Sequence, residues 1–182
     1  FSREKLDVGT RFFLENLPKE NFEQVLDLGC ANGVVGIKLK LQNLEAKLSF
    51  SDESAMAIAS AKANYQNHFE DEAEFFWTNC FDEGPTDKFD LILCNPPFHQ
   101  GHTIGDGIAW QMFNDAKRSL KKGGLLRIIG NSHLGYQLKL KKELDVSEQR
   151  RKQIDSLLEG VDADGQLAAE ADSFARAESQ WP

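Results

Sequence analysis

Short apolar runs alternate with stretches of helical periodicity along residues 1–142 of the chain. The apolar runs have the length of strands and lie at residues 24–28, 47–51, 74–78, 89–94 and 125–130. The helical pattern predicts helices over residues 9–16, 33–42, 54–67, 108–122 and 133–142. Strands that alternate with helices of this length predict an α/β fold, built as a doubly wound, mostly parallel sheet with helices on both faces.

Local signals define two of the helix limits. Ser54 is a suitable N-cap for the Ala-rich helix that follows it. Gly123 and Gly124 come directly after two lysines and predict the end of a helix there. We therefore expect the fourth helix to end at Lys122 and the fifth strand to begin after the two glycines.

The chain changes character after residue 142. Residues 1–142 hold 17 Lys and Arg against 19 Asp and Glu, whereas residues 143–182 hold 4 against 10. The second segment has no strand signals, and its pattern predicts one helix from Asp145 to Leu158 and another over residues 166–178. We therefore expect one folded domain over residues 1–142 and an acidic, helix-prone tail of unknown role over residues 143–182.

The bulk composition suits one globular domain. Of the 182 residues, 41% are hydrophobic and 27% are charged. The sequence has no apolar run of transmembrane length and no signal-peptide pattern, and it begins with Phe1, so we expect a cytoplasmic fragment of a longer protein. The net charge of −8 argues against a protein that binds nucleic acid by charge alone.

The cysteines and histidines predict neither a disulfide framework nor a metal site. Cys30, Cys80 and Cys94 are widely spaced and odd in number, which is typical of reduced cytosolic thiols. The four histidines have no Cys or carboxylate neighbours at the spacing of zinc ligands. We expect no metal.

A glycine-punctuated turn follows the first predicted strand. It reads Asp27-Leu28-Gly29-Cys30-Ala31-Asn32-Gly33 and opens a helix. Ligands of doubly wound sheets bind outside the carboxyl ends of the strands, where glycines let the backbone come close. The spacing departs from the G-x-G-x-x-G pattern of dinucleotide-binding loops and fits the loop of class I S-adenosylmethionine-dependent methyltransferases better. Read singly, the glycines are also compatible with an ordinary turn.

Two polar residues follow the next two strands. Asp52 ends the second strand, 19 residues after Gly33, and is placed to accept hydrogen bonds from ribose hydroxyls. Glu53 is its adjacent rival, and a simple capping role for Asp52 stays open. Asn79 follows the third strand, where an adenine ring would lie. Together with the glycine loop, these residues predict a nucleoside-containing cofactor at one edge of the sheet.

The fourth strand runs directly into Asn95-Pro96-Pro97-Phe98. The prolines restrict the backbone and donate no hydrogen bond, so they form a stiff turn. Such a turn aims the Asn95 amide, the peptide carbonyls and the Phe98 ring at a common point. A planar group that carries an amine, such as a nucleobase, would fit there, with the ring stacked on its face.

These segments resemble the catalytic half of the bacterial rRNA guanine-N2 methyltransferases. The resemblance rests on Phe1-Ser2-Arg3, Leu6-Asp7-Val8-Gly9, Asp27-Leu28-Gly29-Cys30, Asp52-Glu53-Ser54 and Asn95-Pro96-Pro97-Phe98-His99, and it covers residues 1–142. Within that family the chain is most similar to the enzymes of the large subunit, with those of the small subunit next. The resemblance implies a Rossmann-like class I methyltransferase fold and methyl transfer to the N2 amine of a guanine in 23S rRNA.

The same resemblance implies a set of site residues and partners. S-adenosyl-L-methionine is the cofactor, and the residues that bind it are Asp27, Gly29, Ala31, Gly33, Asp52, Asn79 and Asn95. Asn95, Pro96 and Phe98 hold the reacting base, and Pro97, Phe98 and His99 contact the RNA, although His99 is equally compatible with a solvent-facing loop. The expected partner is rRNA, bound with the help of an additional N-terminal RNA-binding domain. We expect a monomer.

Two departures from the family pattern are visible. Ala31 stands where the loop usually has its middle glycine, so we expect a negative φ at this residue. The tail lacks the antiparallel β-hairpin with which the family's sheet usually ends.

Four alternatives to methylation of a 23S rRNA guanine remain open. Three are methylation of a 16S rRNA guanine, of a DNA adenine or of a protein glutamine, and the fourth is a catalytically silent RNA-binding module.

Overall fold

The computed structural model describes residues 6, 8–96, 103–131, 153–154, 156–159 and 176–177. The helices are α1 Val8–Glu15, α2 Val34–Gln42, α3 Ala55–Gln66 and α4 Thr103–Ser119. The strands are β1 Gln24–Leu28, β2 Lys47–Asp52, β3 Glu74–Trp77, β4 Phe89–Cys94, β5 Leu120–Asn131, β6 Gln153–Ile154, β7 Ser156–Glu159 and β8 Arg176–Ala177. The predicted helix over residues 133–142 lies outside the described residues.

The main sheet is parallel and has the order β3-β2-β1-β4-β5-β7. From β1 the chain adds β2 and β3 on one side, and it then crosses to the other side of β1 to add β4 and β5. The carboxyl ends of β1 and β4 therefore lie side by side at the point where the strand order reverses. Open α/β sheets bind their ligands at this kind of position. The predicted doubly wound α/β sheet is confirmed.

Both faces of the sheet are buried, which explains why its central strands read as continuous apolar runs. Alternate residues of β1 show this: Val25 packs in the core under α1, α2 and α3, and Leu26 packs in the core under α4. Both side chains have no exposed surface. The predicted limits of β1 and β4 match the observed ones because all but one residue of each strand is buried.

The fourth helix and the fifth strand differ from the prediction. Helix α4 runs from Thr103 to Ser119, not over residues 108–122, and β5 begins at Leu120. Leu120 pairs with Phe89, and the register then shifts so that Leu125 pairs with Leu91. The residues between them form an irregularity within the strand, and the two glycines of the predicted helix end belong to it.

The C-terminal segment also differs from the prediction at its described residues. Within the segment predicted to be helical, β7 pairs with β5 in parallel, and the short strands β6 and β8 pair antiparallel with each other. The helix predictions are wrong at these residues. The pairing satisfies backbone groups along the edge of β5, a requirement that helical periodicity does not reveal. The division of the chain at residue 142 stays a prediction.

Among the described residues, no helix is both long enough and apolar enough to span a membrane.

Candidate active site

The glycine loop is a tight turn that β2 holds from the side. Gly29 and Gly33 both have left-handed backbones, with φ of +74° and +79°. The carbonyl oxygen of Ser51 accepts hydrogen bonds from the N–H groups of Gly29 and Cys30, each at 2.9 Å. A Cβ atom on Gly33 would lie 3.1 Å from the Cβ of Ala61, so glycine also lets α3 approach the loop. The loop is therefore fixed by its neighbours before any ligand arrives.

Ala31 has a φ of +51°, so the expected negative φ is wrong. A left-handed backbone costs a residue with a Cβ roughly 1–2 kcal/mol. The Ala31 N–H donates to Oδ2 of Asp52 at 2.9 Å in this conformation. Hydrogen bonds to a charged acceptor contribute about 1.5–3 kcal/mol, which is enough to offset the strain. The third position of the loop is thus held in the glycine-like conformation by a carboxylate.

Asp52 organises two segments at the carboxyl end of β2. Its Oδ2 accepts from Ala31, and its Oδ1 accepts from the N–H of Ser54 at 2.9 Å, at the start of α3. Each carboxylate oxygen has a second lone pair that can accept another donor. Glu53 is exposed, and its carbonyl oxygen accepts from the indole N–H of Trp77 at 3.0 Å. Of the two acids, only Asp52 is tied to the glycine loop by a described hydrogen bond.

Asp27 lies beneath the loop and is 2% exposed. Its Oδ2 accepts from the N–H of Gly36, in the first turn of α2, at 2.8 Å. Burial raises the pKa of Asp27 to about 7; the Gly36 N–H opposes this rise, and repulsion by the Asp52 carboxylate adds to it. Asp27 and Asp52 are therefore close enough to interact, and the pKa of Asp27 lies near neutral pH.

The segment after β3 forms the far side of the site. Asn79 is exposed, two residues beyond the end of β3. The hydroxyl of Ser51 donates to the carbonyl oxygen of Cys80 at 2.7 Å. Ser51 therefore connects the glycine loop, through its carbonyl, with the segment that carries Asn79, through its hydroxyl.

Asn95 lies at the carboxyl end of β4, next to the glycine loop. Its N–H donates to the carbonyl oxygen of Leu28 at 3.4 Å. A Cβ atom on Gly29 would lie 3.2 Å from the carbonyl oxygen of Asn95. The side-chain Oδ1 of Asn95 is buried and has no hydrogen-bond partner among the described residues. A buried acceptor of this kind is costly unless a donor forms a hydrogen bond with it.

The rest of the predicted turn is only partly described. Pro96 is buried beside Asn95. The predictions for Pro97, Phe98 and His99 fall outside the described residues. The structure therefore brings the glycine loop, Asp52 and Asn95 together at one edge of the sheet, and it leaves the stacking prediction for Phe98 untested.

The cysteines beside the site are not nucleophiles. All three are free and buried. Burial raises the pKa of the Cys30 and Cys94 thiols and raises that of Cys80 to about 11. A protonated thiol is a poor nucleophile and a poor metal ligand. The described residues contain no group of three or more side chains that could hold a metal ion.

Sequence reasoning missed Ser51 as a site residue. It assigned this serine to a strand and gave it no role. The available signal was a pair of serines, Ser49 and Ser51, within a strand that burial makes otherwise apolar. A buried hydroxyl needs a partner, and the hydroxyl of Ser51 finds its partner in the segment that follows β3.

Comparison with known proteins places the chain in a family. The model of the family "Methyltransferase small domain" matches residues 1–154. The chain is 54% identical over 145 residues to the ribosomal RNA large subunit methyltransferase G of Shewanella amazonensis, and 50% identical to that of Klebsiella pneumoniae subsp. pneumoniae. Each match covers 78% of this chain, and the chain spans 38% and 39% of those relatives.

Solved structures show the same fold. The 16S rRNA N2 methyltransferase RsmC of T. thermophilus, in complex with AdoMet and guanosine, is 26% identical with a TM-score of 0.67; the match covers 81% of this chain and 43% of that one. The ribosomal protein L11 methylase of Lactobacillus delbrueckii subsp. bulgaricus has a TM-score of 0.58 at 18% identity, over 73% of this chain and 64% of that one. By its family match and its sheet, the chain belongs to the methyltransferase small domain family and has the class I methyltransferase fold.

Proposed function

We propose that the chain carries the catalytic domain of an S-adenosylmethionine-dependent enzyme that methylates the N2 amine of a guanine in large-subunit rRNA. The observation that carries this proposal is the buried Oδ1 of Asn95, which lies beside the glycine loop and has no hydrogen-bond partner within the described part of the chain. An acceptor in this position needs a donor, and an exocyclic amine supplies one. The names of the relatives at 50–54% identity support methylation of large-subunit rRNA. The RsmC structure, a 16S rRNA N2 methyltransferase in complex with guanosine, supports the N2 amine of guanine as the acceptor.

The residues of the site fit S-adenosylmethionine. Asp27, Gly29, Ala31 and Gly33 form the side proposed for its methionine part. The free lone pairs of Asp52 can accept from ribose hydroxyls, and Asn79 borders the position proposed for adenine. The Asp52 carboxylate beside the loop also favours a ligand that carries positive charge.

The protein's own chemical task is to position the nucleophile. When bound, S-adenosylmethionine supplies an electrophilic methyl group on a positively charged sulfur. The guanine amine is a weak nucleophile because its lone pair is delocalised into the ring. Hydrogen bonds from that amine to Asn95 Oδ1 and to the Pro96 carbonyl favour a pyramidal nitrogen and aim its lone pair at the methyl group. Such positioning in a preorganised site lowers the barrier without a strong base.

Access to the amine requires an unpaired or flipped-out base. Stacking on Phe98 would contribute about 1–3 kcal/mol to holding it. Pro97 and His99 are the proposed RNA contacts next to it. These three residues enter the proposal through the family resemblance alone.

The remaining parts of the proposal concern the whole protein. The chain spans less than half of the length of the curated relatives it matches. We expect the full protein to bind rRNA with an additional N-terminal domain, to be a monomer and to act in the cytoplasm during ribosome biogenesis.

The test is methyl transfer from labelled S-adenosylmethionine to four substrates: unmodified 23S rRNA, unmodified 16S rRNA, DNA and a release factor. We expect the label in 23S rRNA. Mass spectrometry should locate it on a guanine, and hydrolysis should release it as N2-methylguanine. Label in 16S rRNA, DNA or the release factor instead would contradict the proposed specificity and assign that molecule as the substrate. Cofactor binding without transfer to any of them would favour a silent module.

A further inference from the structure

Two side chains of helix α4 form hydrogen bonds with the backbone of one residue in the segment that follows β3. Oδ2 of Asp115 accepts from the N–H of Phe81 at 3.1 Å, and a guanidinium nitrogen of Arg118 donates to the carbonyl oxygen of the same residue. Oδ1 of Asp115 pairs with Nη1 of Arg118 at 3.2 Å, one helical turn away. Both polar groups of Phe81 are thus held by one ion pair, which we call the α4 clamp.

The Asp115 side of the clamp and the Phe81 peptide that it holds lie in a buried setting. Phe81 has no exposed surface, and Asp115 is 5% exposed. The Phe81 ring packs edge-on against Phe76, with their centroids 5.2 Å apart. Hydrogen bonds in such surroundings are stronger, and more costly to break, than those in water. The clamp therefore fixes the backbone of residue 81, two positions after Asn79.

The far end of the same segment is held independently. The N–H of Asp87 donates to the carbonyl oxygen of Arg118 at 3.2 Å, and that of Lys88 donates to Ser119 at 3.0 Å. These bonds use main-chain atoms of the helix, so they remain when the side chains of the clamp change. Loss of the clamp should accordingly loosen residues 79–82 and leave the entry to β4 in place.

The same helix also reaches the glycine loop. The Cε atom of Met112 would lie 3.0 Å from a Cβ atom on Gly29. Met112 and Asp115 are neighbours on α4 at a spacing of three residues. One rigid element therefore sets the distance between the glycine loop and the segment that carries Asn79.

We propose that Asp115 and Arg118 are positioning residues that set the adenine-binding side of the cofactor site through the peptide of Phe81. They touch neither cofactor nor substrate. Their effect is on how well residues 79–82 recognise the purine ring. This inference rests on the proposed function, because it takes Asn79 as the neighbour of adenine.

The test compares the affinity of the full chain for S-adenosylhomocysteine and for its inosine counterpart, by calorimetry well below the melting temperature. Wild type should prefer the adenine form, since an edge built to hydrogen-bond one purine rejects the other. Asp115→Ala and Arg118→Gln should each lose about tenfold in affinity for the adenine form and much less for the inosine form. Asp115→Asn retains an acceptor for the Phe81 N–H and should fall between them. Asn114→Ala, on the exposed side of α4, and Lys122→Gln are the controls and should match wild type.

A purely structural role would lower the melting temperature and leave the ratio of the two affinities unchanged, and that result would overturn the proposal. Arg118 is partly exposed, so Arg118→Gln decides the matter if Asp115→Ala does not fold. A wild-type chain that binds the ligands with the expected preference but transfers no methyl group to rRNA would overturn the proposed function alone. Methyl transfer with an unchanged affinity ratio in the folded variants would overturn the clamp alone.

Discussion

The backbone of Gly29 faces the carbonyl oxygen of Asn95 so closely that a Cβ atom on Gly29 would lie 3.2 Å from it. These residues follow β1 and β4, the two strands between which the strand order reverses. The contact places the glycine loop directly beside the proposed amine acceptor. It is the geometric basis for treating the two motifs as one site.

Gly29→Ala should disturb this contact. The added Cβ strains the left-handed backbone and pushes against Asn95, so we expect methyl transfer to fall by about tenfold or more as the acceptor moves. Gly123→Ala is a matched control, because Gly123 has a φ of +82° and open space where its Cβ would lie. Steady-state kinetics and thermal melts of both variants separate backbone strain from displacement of Asn95. Equal losses of activity in the two would contradict the contact's role.

Ala31→Gly should stabilise the chain. Glycine removes the strain of φ +51° and keeps the N–H that donates to Asp52. We expect a gain of about 0.5–1 kcal/mol in the free energy of unfolding, measured with urea, after the entropy cost of glycine is subtracted. Ala63→Gly, in the exposed part of α3, should instead lose about 1 kcal/mol. A loss at position 31 comparable to that at position 63 would argue against the strained conformation.

Asp52 and Glu53 should differ sharply as cofactor ligands. Asp52→Asn replaces one acceptor oxygen with an amide that faces a backbone N–H, so we expect cofactor affinity to fall about tenfold or more. Glu53→Gln changes an exposed side chain and should leave the affinity within about twofold of wild type. Calorimetry with S-adenosylmethionine measures both. The opposite ranking would assign the ribose site to Glu53.

Asp27 should make stability depend on pH in an unusual direction. Its pKa is about 7 in the folded chain, against roughly 4 in an unfolded one. Between about pH 4 and pH 7, Asp27 therefore carries a proton in the folded chain that it has lost in the unfolded chain. The stability that this proton contributes is complete below about pH 4 and is lost as the pH rises through 7.

The variant Asp27→Asn tests this dependence. The amide that it introduces cannot ionise, so only wild type loses stability as the pH rises. The free energy of unfolding of the variant minus that of wild type should therefore be larger at about pH 8 than at about pH 5, by on the order of 2 kcal/mol. Urea unfolding at the two pH values measures the change. A difference between variant and wild type that is the same at both values would show that Asp27 does not titrate in this range.

The parts of the fold that sequence predicted well are those fixed by burial. β1 and β4 are covered on both faces, so their apolar runs define their ends. The N-cap of α3 was also predicted, and the Ser54 hydroxyl does accept from the N–H of Ala57, at 3.3 Å. Here the local chemistry of one residue determines the boundary.

The parts that were missed depend on contacts between distant segments. The end of α4 was placed too late because Leu120 pairs with Phe89, a partner that helical periodicity cannot reveal. The left-handed Ala31 depends on a carboxylate 21 residues away. No role for Asp115 follows from the sequence, although its buried carboxylate accepts a hydrogen bond from the Phe81 N–H, 34 residues away. Sequence order thus predicted that these motifs lie at one edge of the sheet but not what holds them in place.

The most direct test of the central claim is Asn95→Ala, with cofactor affinity and methyl transfer to 23S rRNA measured on the same preparation. The truncation removes the buried acceptor and leaves the glycine loop and Asp52 intact. We expect the Kd for S-adenosylmethionine to stay within about twofold of wild type and kcat to fall by about 100-fold or more. Turnover at the wild-type rate in this variant would contradict the assignment of Asn95 as the group that positions the amine.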